Sequence, residues 1–80
     1  MEHNKLQWRC RRGMRELDMV LERFLTQDFP HLNPEMRGAF SQLLEASDPE
    51  LYDWLLGRVP APTALFARLV ERLQTHRPRL

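Results

Sequence analysis

Residues 14–27, MRELDMVLERFLTQ, carry the pattern that decides the fold class of this 80-residue chain. Their apolar side chains recur every three or four positions, which places them along one face of a helix. These side chains are Met14, Leu17, Val20, Leu21, Phe24 and Leu25. Charged residues fill most of the positions between them. The segment therefore predicts an amphipathic helix that buries one face in a core.

Shorter segments with the same spacing flank this helix on both sides. On the N-terminal side, residues 5–11 form a first short helical segment that carries Leu6 and Trp8, with Gly13 as its break. On the C-terminal side, residues 28–32 end the helix, and Asn33 followed by proline is typical of a new helix start. The third helix presents an apolar face made of Met36, Ala39, Phe40, Leu43 and Leu44.

Two further helix starts follow. Either Ser47 or Asp48 caps a fourth helix, and Glu50 completes a capping box if Ser47 is the cap. Gly57 closes that helix, and residues 60–62, Pro-Ala-Pro, form a rigid connector. Thr63 can cap a fifth helix. Its apolar stripe is Leu65, Phe66, Leu69, Val70 and Leu73.

These patterns predict an all-α fold, a single compact bundle of about five short helices in one domain over residues 1–80. Periodicity leaves open whether residues 75–80 are ordered or form a disordered tail. Within the fourth helix, Trp54 is expected to anchor the bundle. For residues 43–55 as a whole, core packing and capping explain the pattern better than a direct binding role.

Length and composition narrow the function classes. Eighty residues leave no room for a cofactor-enclosing fold with a second lobe. No apolar run approaches the ~20 residues that span a bilayer, and the first residues lack the apolar core of a signal peptide. A lone cysteine excludes an internal disulfide. We expect a cytoplasmic protein without membrane insertion, and a binding module rather than a free-standing enzyme.

Charge is distributed unevenly although the net charge is only +1. Residues 1–23 carry six basic and four acidic side chains, residues 24–57 one and six, and residues 58–80 five and one. The acidic middle would repel a phosphate backbone, so we expect no nucleic-acid partner. Eleven of the twelve basic residues are arginine, which favours planar, bidentate recognition of carboxylate or phosphate.

Candidate reactive groups are few. The histidines at positions 3, 31 and 76 are dispersed, and the cysteine has no partner at metal-ligand spacing, so no metal site is predicted. Cys10 lies among arginines, which would lower its pKa and make the thiol reactive. The alternative, a small semi-buried residue, is favoured because no histidine base lies nearby in the sequence.

The charges around residues 8–18 are opposite to those that usually stabilise the start of a helix. Arg11, Arg12 and Arg15 cluster at a helix start, where the helix dipole disfavours cations. Arg12 and Glu16 are four residues apart and could pair, although this order of base and acid is the less favourable one. Broken local rules are more often found at functional sites. A solvated helix end, partly compensated by Glu16 and Asp18, is the competing interpretation.

The same stretch carries a resemblance to a known family. Residues 12–16, RGMRE, match the RGxxE signature of the small FAD assembly factors of succinate dehydrogenase, called SdhE in bacteria. The flanking residues agree as well, namely Trp8, Cys10, Arg11, Leu17 and Asp18. So do the later segments 43–45, LLE, and 48–55, DPELYDWL. The chain therefore resembles this family over most of its length, and the region after Gly57 is the least diagnostic.

The resemblance implies a function and a set of site residues. It implies a maturation factor, not an enzyme, that binds the flavoprotein subunit of succinate dehydrogenase and also that of fumarate reductase. Such factors promote covalent attachment of FAD to a histidine of the partner, so FAD is held by the partner and is not bound stably here. The partner-binding residues implied are Trp8, Arg11, Arg12, Gly13, Met14, Arg15, Glu16 and Asp18. We expect the chain to act as a monomer.

We hypothesise the following roles within this set. The surface at Gly13 would lie against the partner, because a side chain there would block close approach. The arginines would pair with acidic or carbonyl groups, and Glu16 would help to hold the acceptor histidine.

Two alternatives stay open at this point. One is an antitoxin-like interaction module with the same fold and surface. The other is a helical nucleic-acid-binding module that uses the arginines near residues 9–15 and 68–79.

Overall fold

The fold is built from short helices, each with its own start and end. The computed structural model describes residues 2–77 and the side chains of residues 5–77. Within that range the chain forms five α-helices and no β-strand. They are α1 (Glu2–Arg9), α2 (Arg15–Gln27), α3 (Pro34–Leu43), α4 (Asp48–Leu55) and α5 (Ala64–Gln74). A 3-10 turn, Phe29–His31, lies between α2 and α3. The all-α class and the bundle of five short helices are confirmed.

Three N-terminal caps form as the sequence predicts. The Asn33 side chain accepts a hydrogen bond from the backbone N–H three residues on at 2.8 Å, and Thr63 does the same at 3.1 Å. At α4 the cap is Ser47 rather than Asp48. The backbone N–H of Glu50 donates to Ser47 Oγ while the Glu50 carboxylate accepts from the Ser47 N–H, which completes a capping box.

The core lies where α5 packs against α2, α3 and α4. Phe24 of α2 and Phe40 of α3 are fully buried, with ring centroids 4.7 Å apart. Phe29 from the 3-10 turn adds a third ring, 5.8 Å from that of Phe40. Trp54 is buried in the same cluster, as expected for an anchor of the bundle. The remaining buried apolar residues are Leu6, Cys10, Leu17, Val20, Leu21, Leu25, Ala39, Leu43, Leu44, Leu51, Leu55, Leu69, Val70 and Leu73.

The first helix differs from the prediction over residues 5–11. It ends at Arg9, and Gly13 does not break it directly. Instead Gly13 lies in the connection to α2 with φ +84°, a conformation that favours glycine. Leu6 is buried while Trp8 is exposed. Side chains two positions apart point to nearly opposite sides of a helix, so the two cannot share one face.

The ends of α4 and α5 connect the bundle to its C-terminal residues. Gly57 follows α4 with φ +75°, and its N–H donates to the carbonyl of Trp54 at 3.1 Å, so it closes the helix as predicted. Residues 75–77 form an ordered turn after α5. The rest of the tail considered above, residues 78–80, lies outside the described residues. No described helix combines the length and apolar character needed to cross a membrane.

Candidate functional site

The eight predicted site residues lie on the α1–α2 connection and on the two helix ends beside it. Asp18, in the first turn of α2, fixes this connection. Its carboxylate accepts hydrogen bonds from the backbone N–H of Arg12 at 2.7 Å and of Gly13 at 3.2 Å. Because one carboxylate receives two successive N–H groups, the backbone of the connection is tied to the start of α2.

Arg12 points into the bundle, and only 15% of its side chain is exposed. Its Nε donates to Asp48 Oδ1 at 2.7 Å. One terminal nitrogen donates to the carbonyls of Leu44 at 2.7 Å and Arg9 at 3.2 Å, and the other to the carbonyl of Ala46. The guanidinium thereby joins the α1–α2 connection to the α3–α4 connection, which makes Arg12 a structural residue.

Glu16 does not pair with Arg12, so the prediction of this ion pair from their spacing is wrong. The Arg12 guanidinium is taken by Asp48 and by carbonyl groups instead. Glu16 turns to two distant partners: Oε2 accepts from the Tyr52 hydroxyl and Oε1 from Arg77 Nε, both at 3.2 Å. Its side chain remains 34% exposed. The carboxylate is therefore held and still accessible.

Four of the predicted residues face solvent and form what we call the exposed patch: Trp8, Arg11, Gly13 and Arg15. Trp8 is 74% exposed, and the guanidinium carbon of Arg11 lies 5.9 Å from its ring centroid, a cation–π arrangement. Both side chains also line a shallow pocket of about 150 Å³. A Cβ at Gly13 would meet no atom within 4 Å, so the space above this residue is open.

Met14 completes the set. It is the N-cap residue of α2, with extended backbone and no side-chain cap, and it packs partly buried against the core. The structure thus divides the predicted residues by location. Arg12, Met14 and Asp18 make their contacts within the protein, whereas the residues of the exposed patch face solvent. Glu16 does both, since it is hydrogen-bonded within the protein and still partly exposed.

Sequence reasoning missed the partners of these residues. Asp48 carries an interaction with Arg12 that its position at a helix start did not reveal. Tyr52 and Arg77 contact Glu16 across 36 and 61 positions of sequence. Arg9 also reaches across the bundle, donating to the carbonyl of Ser41 at 2.6 Å. None of these pairs has a signal in local spacing, because each depends on how separate helices pack.

Cys10 is buried in the core and only 2% exposed. Burial raises the pKa of its thiol to about 12, against the opposing influence of Arg12 and Arg9. The neutral thiol is therefore the dominant form near neutral pH, and Cys10 is a core residue that is more deeply buried than the expected semi-buried position. Over the described part of the chain, His, Cys, Asp and Glu side chains form no group of three that could hold a metal ion.

Comparison with known proteins gives one consistent result. The sequence model of the family Sdh5, described as flavinator of succinate dehydrogenase, matches residues 4–77. Three bacterial relatives share the description FAD assembly factor SdhE. Those of Coxiella burnetii and Haemophilus ducreyi are 46% and 41% identical over 70 residues, 88% of this chain and 85% of theirs. That of Pectobacterium atrosepticum is 36% identical over 72 residues, 90% of this chain and 82% of its own.

Arg12→Ala is expected to lower the free energy of unfolding by about 2–3 kcal/mol, because three carbonyls and the Asp48 carboxylate lose their donor. Arg11→Ala and Arg15→Ala remove exposed charges and should change it by less than about 0.5 kcal/mol. Urea titration followed by circular dichroism measures all three. An Arg12→Ala protein as stable as the wild type would contradict the structural role.

Cys10 should resist alkylation by iodoacetamide in the folded protein at pH 8. With a pKa of about 12, only about one thiol in ten thousand is ionised at that pH. The same thiol should react fully in concentrated urea, and equal rates in both conditions would show that it is accessible.

The raised pKa of Cys10 also predicts a loss of stability in alkali. Because the folded state favours the neutral thiol, this contribution is present below pH 9 and is lost as the pH rises towards 12. Urea titrations of the wild type and Cys10→Ala across this range test the prediction. The variant should lose less stability than the wild type as the pH rises.

Proposed function

The chain belongs to the family of flavinators of succinate dehydrogenase, and from this premise we propose that it is an FAD assembly factor. It binds the flavoprotein subunit of succinate dehydrogenase and promotes covalent attachment of FAD to a histidine of that subunit. The observation that carries the proposal is the family match over residues 4–77, which includes the whole α1–α2 connection. The chain acts as a maturation factor rather than as an enzyme.

The exposed patch docks on the partner. Gly13 offers an open, side-chain-free surface, so the partner backbone can approach closely there. Arg11 and Arg15 pair with acidic or carbonyl groups of the partner, and Trp8 supplies a large apolar contact. The fold supports this docking, because Arg12 and Asp18 hold the α1–α2 connection in place through hydrogen bonds within the protein.

Glu16 contacts the partner near its flavin site and helps to hold the acceptor histidine. A carboxylate offers about four acceptor positions. The two described hydrogen bonds, from Tyr52 and Arg77, leave room for an imidazole N–H. This is orientation of a reacting group and not bond formation by this chain.

FAD stays in the site of the partner throughout, and the bond-forming chemistry belongs to the flavin and the partner histidine. The residues assigned here supply hydrogen bonds, charge and a close backbone approach. The proposal therefore includes no stably bound cofactor in this chain.

The proposal extends to further partners and to the working state of the protein. The flavoprotein subunit of fumarate reductase is a second client, which the resemblance of the sequence supports. The working form is a monomer. Among the described residues the exposed large apolar side chains are Trp8 and Val59, which is little apolar surface for a permanent dimer interface. The protein works in the cytoplasm, where the free thiol of Cys10 stays reduced.

Nucleic acid is not among the proposed partners. Much of the basic charge in residues 9–15 and 68–77 is engaged within the fold. Arg9 contacts Ser41, Arg12 pairs with Asp48, and Arg72 and Arg77 pair with acidic residues. The relatives are described as FAD assembly factors, which supports this role over an antitoxin-like module.

Gly13→Arg should abolish complex formation with the flavoprotein subunit while the helical circular-dichroism signal is retained. A long charged side chain would occupy the surface against which the partner packs. Gly57→Arg is the matched control, since that glycine also has a positive φ and open space around it. Co-purification of tagged flavoprotein subunit with each variant measures binding. Equal loss of binding in both variants would mean that strain at glycine, not the location of Gly13, is responsible.

Glu16→Ala should reduce covalent flavin in a co-expressed flavoprotein subunit, because the acceptor histidine loses a group that orients it. In-gel flavin fluorescence after denaturing electrophoresis reads the covalent product directly. Glu22→Ala, an exposed acidic position on the same helix, serves as the control and should leave fluorescence unchanged. Fluorescence at the wild-type level in Glu16→Ala would remove this residue from the proposed site.

A further inference from the structure

Glu16 lies where three separate parts of the chain meet. It belongs to the first turn of α2, Tyr52 belongs to α4, and Arg77 belongs to the turn that follows α5. The hydroxyl and the guanidinium each donate to a different carboxylate oxygen, both at 3.2 Å. Because the two oxygens are held from two sides, rotation of the carboxylate about the side-chain torsions is restricted.

One face of α4 contacts Arg12 and Glu16, the first and last residues of the segment 12–16. Asp48 and Tyr52 are four positions apart on α4 and so lie on the same face. Arg12 and Glu16 are likewise four apart in sequence. Asp48 pairs with Arg12, and Tyr52 donates to Glu16. The helix α4 therefore sets the positions of the arginine and the glutamate together.

Arg77 is itself presented from a fixed turn. The ring of the preceding residue, His76, lies 3.0 Å from the carboxylate of Asp28, and both side chains are only 10% exposed. The carbonyl of His76 accepts a hydrogen bond from Arg23 at 3.1 Å. Since residue 76 is attached to α2 through Arg23 and to Asp28, the residue that follows this helix, the side chain of Arg77 begins from a defined point.

We propose that Tyr52 and Arg77 are positioning residues that hold the Glu16 carboxylate in the orientation it uses on the partner. The inference rests on the proposed function and deepens it. It assigns a role to the C-terminal turn, a region whose sequence is the least diagnostic of the family. Neither residue needs to touch the flavin or the acceptor histidine, because both act through Glu16.

The test is a double-mutant cycle in a reconstituted flavinylation assay with purified flavoprotein subunit, FAD and factor. Tyr52→Phe and Arg77→Ala should each slow covalent flavin formation at saturating factor by about three- to tenfold, as expected for a misplaced orienting group. The factor concentration that gives half-maximal rate should change by less than about twofold, since docking is unaffected. In a Glu16→Ala background neither substitution should slow the reaction further.

Controls separate positioning from general stability. Arg68→Ala removes an exposed arginine of α5 and should match the wild type. Arg77→Lys should recover part of the rate because it restores a cation near Glu16. Thermal unfolding by circular dichroism identifies any variant that is not folded. In the free protein, three-bond NMR couplings should show one Glu16 side-chain rotamer for the wild type and averaging in the Tyr52→Phe, Arg77→Ala double variant.

The outcomes that overturn the inference are distinct from failure of the proposed function. Unchanged rates for Tyr52→Phe and Arg77→Ala would overturn it, as would equal slowing with and without Glu16 or an averaged Glu16 rotamer in the wild type. A wild-type factor that leaves covalent flavin at the factor-free level removes the proposed function and this inference with it.

Discussion

The α1–α2 and α3–α4 connections are held together by the hydrogen bonds of the Arg12 guanidinium. The last carbonyls of a helix have no partner within it and must find a donor elsewhere. Arg12 donates to the carbonyl of Arg9 at the end of α1 and to those of Leu44 and Ala46 after α3. It also pairs with Asp48 in the first turn of α4. One side chain thus donates to carbonyl groups at two helix ends, a geometry that the single ammonium of lysine cannot reproduce.

The inward direction of Arg12 explains why the next residue faces outward. Asp18 binds the backbone N–H groups of both Arg12 and Gly13, so their positions are fixed together. With the arginine turned into the bundle, the chain bends at Gly13 through a positive φ, and that residue is exposed on the surface. The arrangement also relieves the charge conflict at the start of α2. Arg12 is neutralised by Asp48, and acidic residues occupy the first turn, where the helix dipole favours them.

Local features of the sequence predicted the fold well, whereas the long-range contacts of the site could not be predicted from them. The caps at Asn33, Ser47 and Thr63 were predictable because each involves residues three positions apart. The exposed patch was found through a charge pattern and a family resemblance, both visible in one short stretch. The pair of Glu16 with Arg77 was not, since a residue in the tail has no spacing that relates it to α2. Only the packing of α5 brings the two together.

The exposed patch is positively charged because the nearby acidic side chains are paired within the fold. Asp18 and Asp48 are engaged with backbone and arginine donors, and Glu16 is balanced by Arg77. Arg11 and Arg15 therefore leave this surface positive, and the proposed docking requires acceptor groups on the partner surface. Exposed ion pairs contribute little free energy each, and a patch built on one short connection is small. A contact of this kind fits the proposed role, in which the patch orients the chain on the partner and does not form a permanent complex.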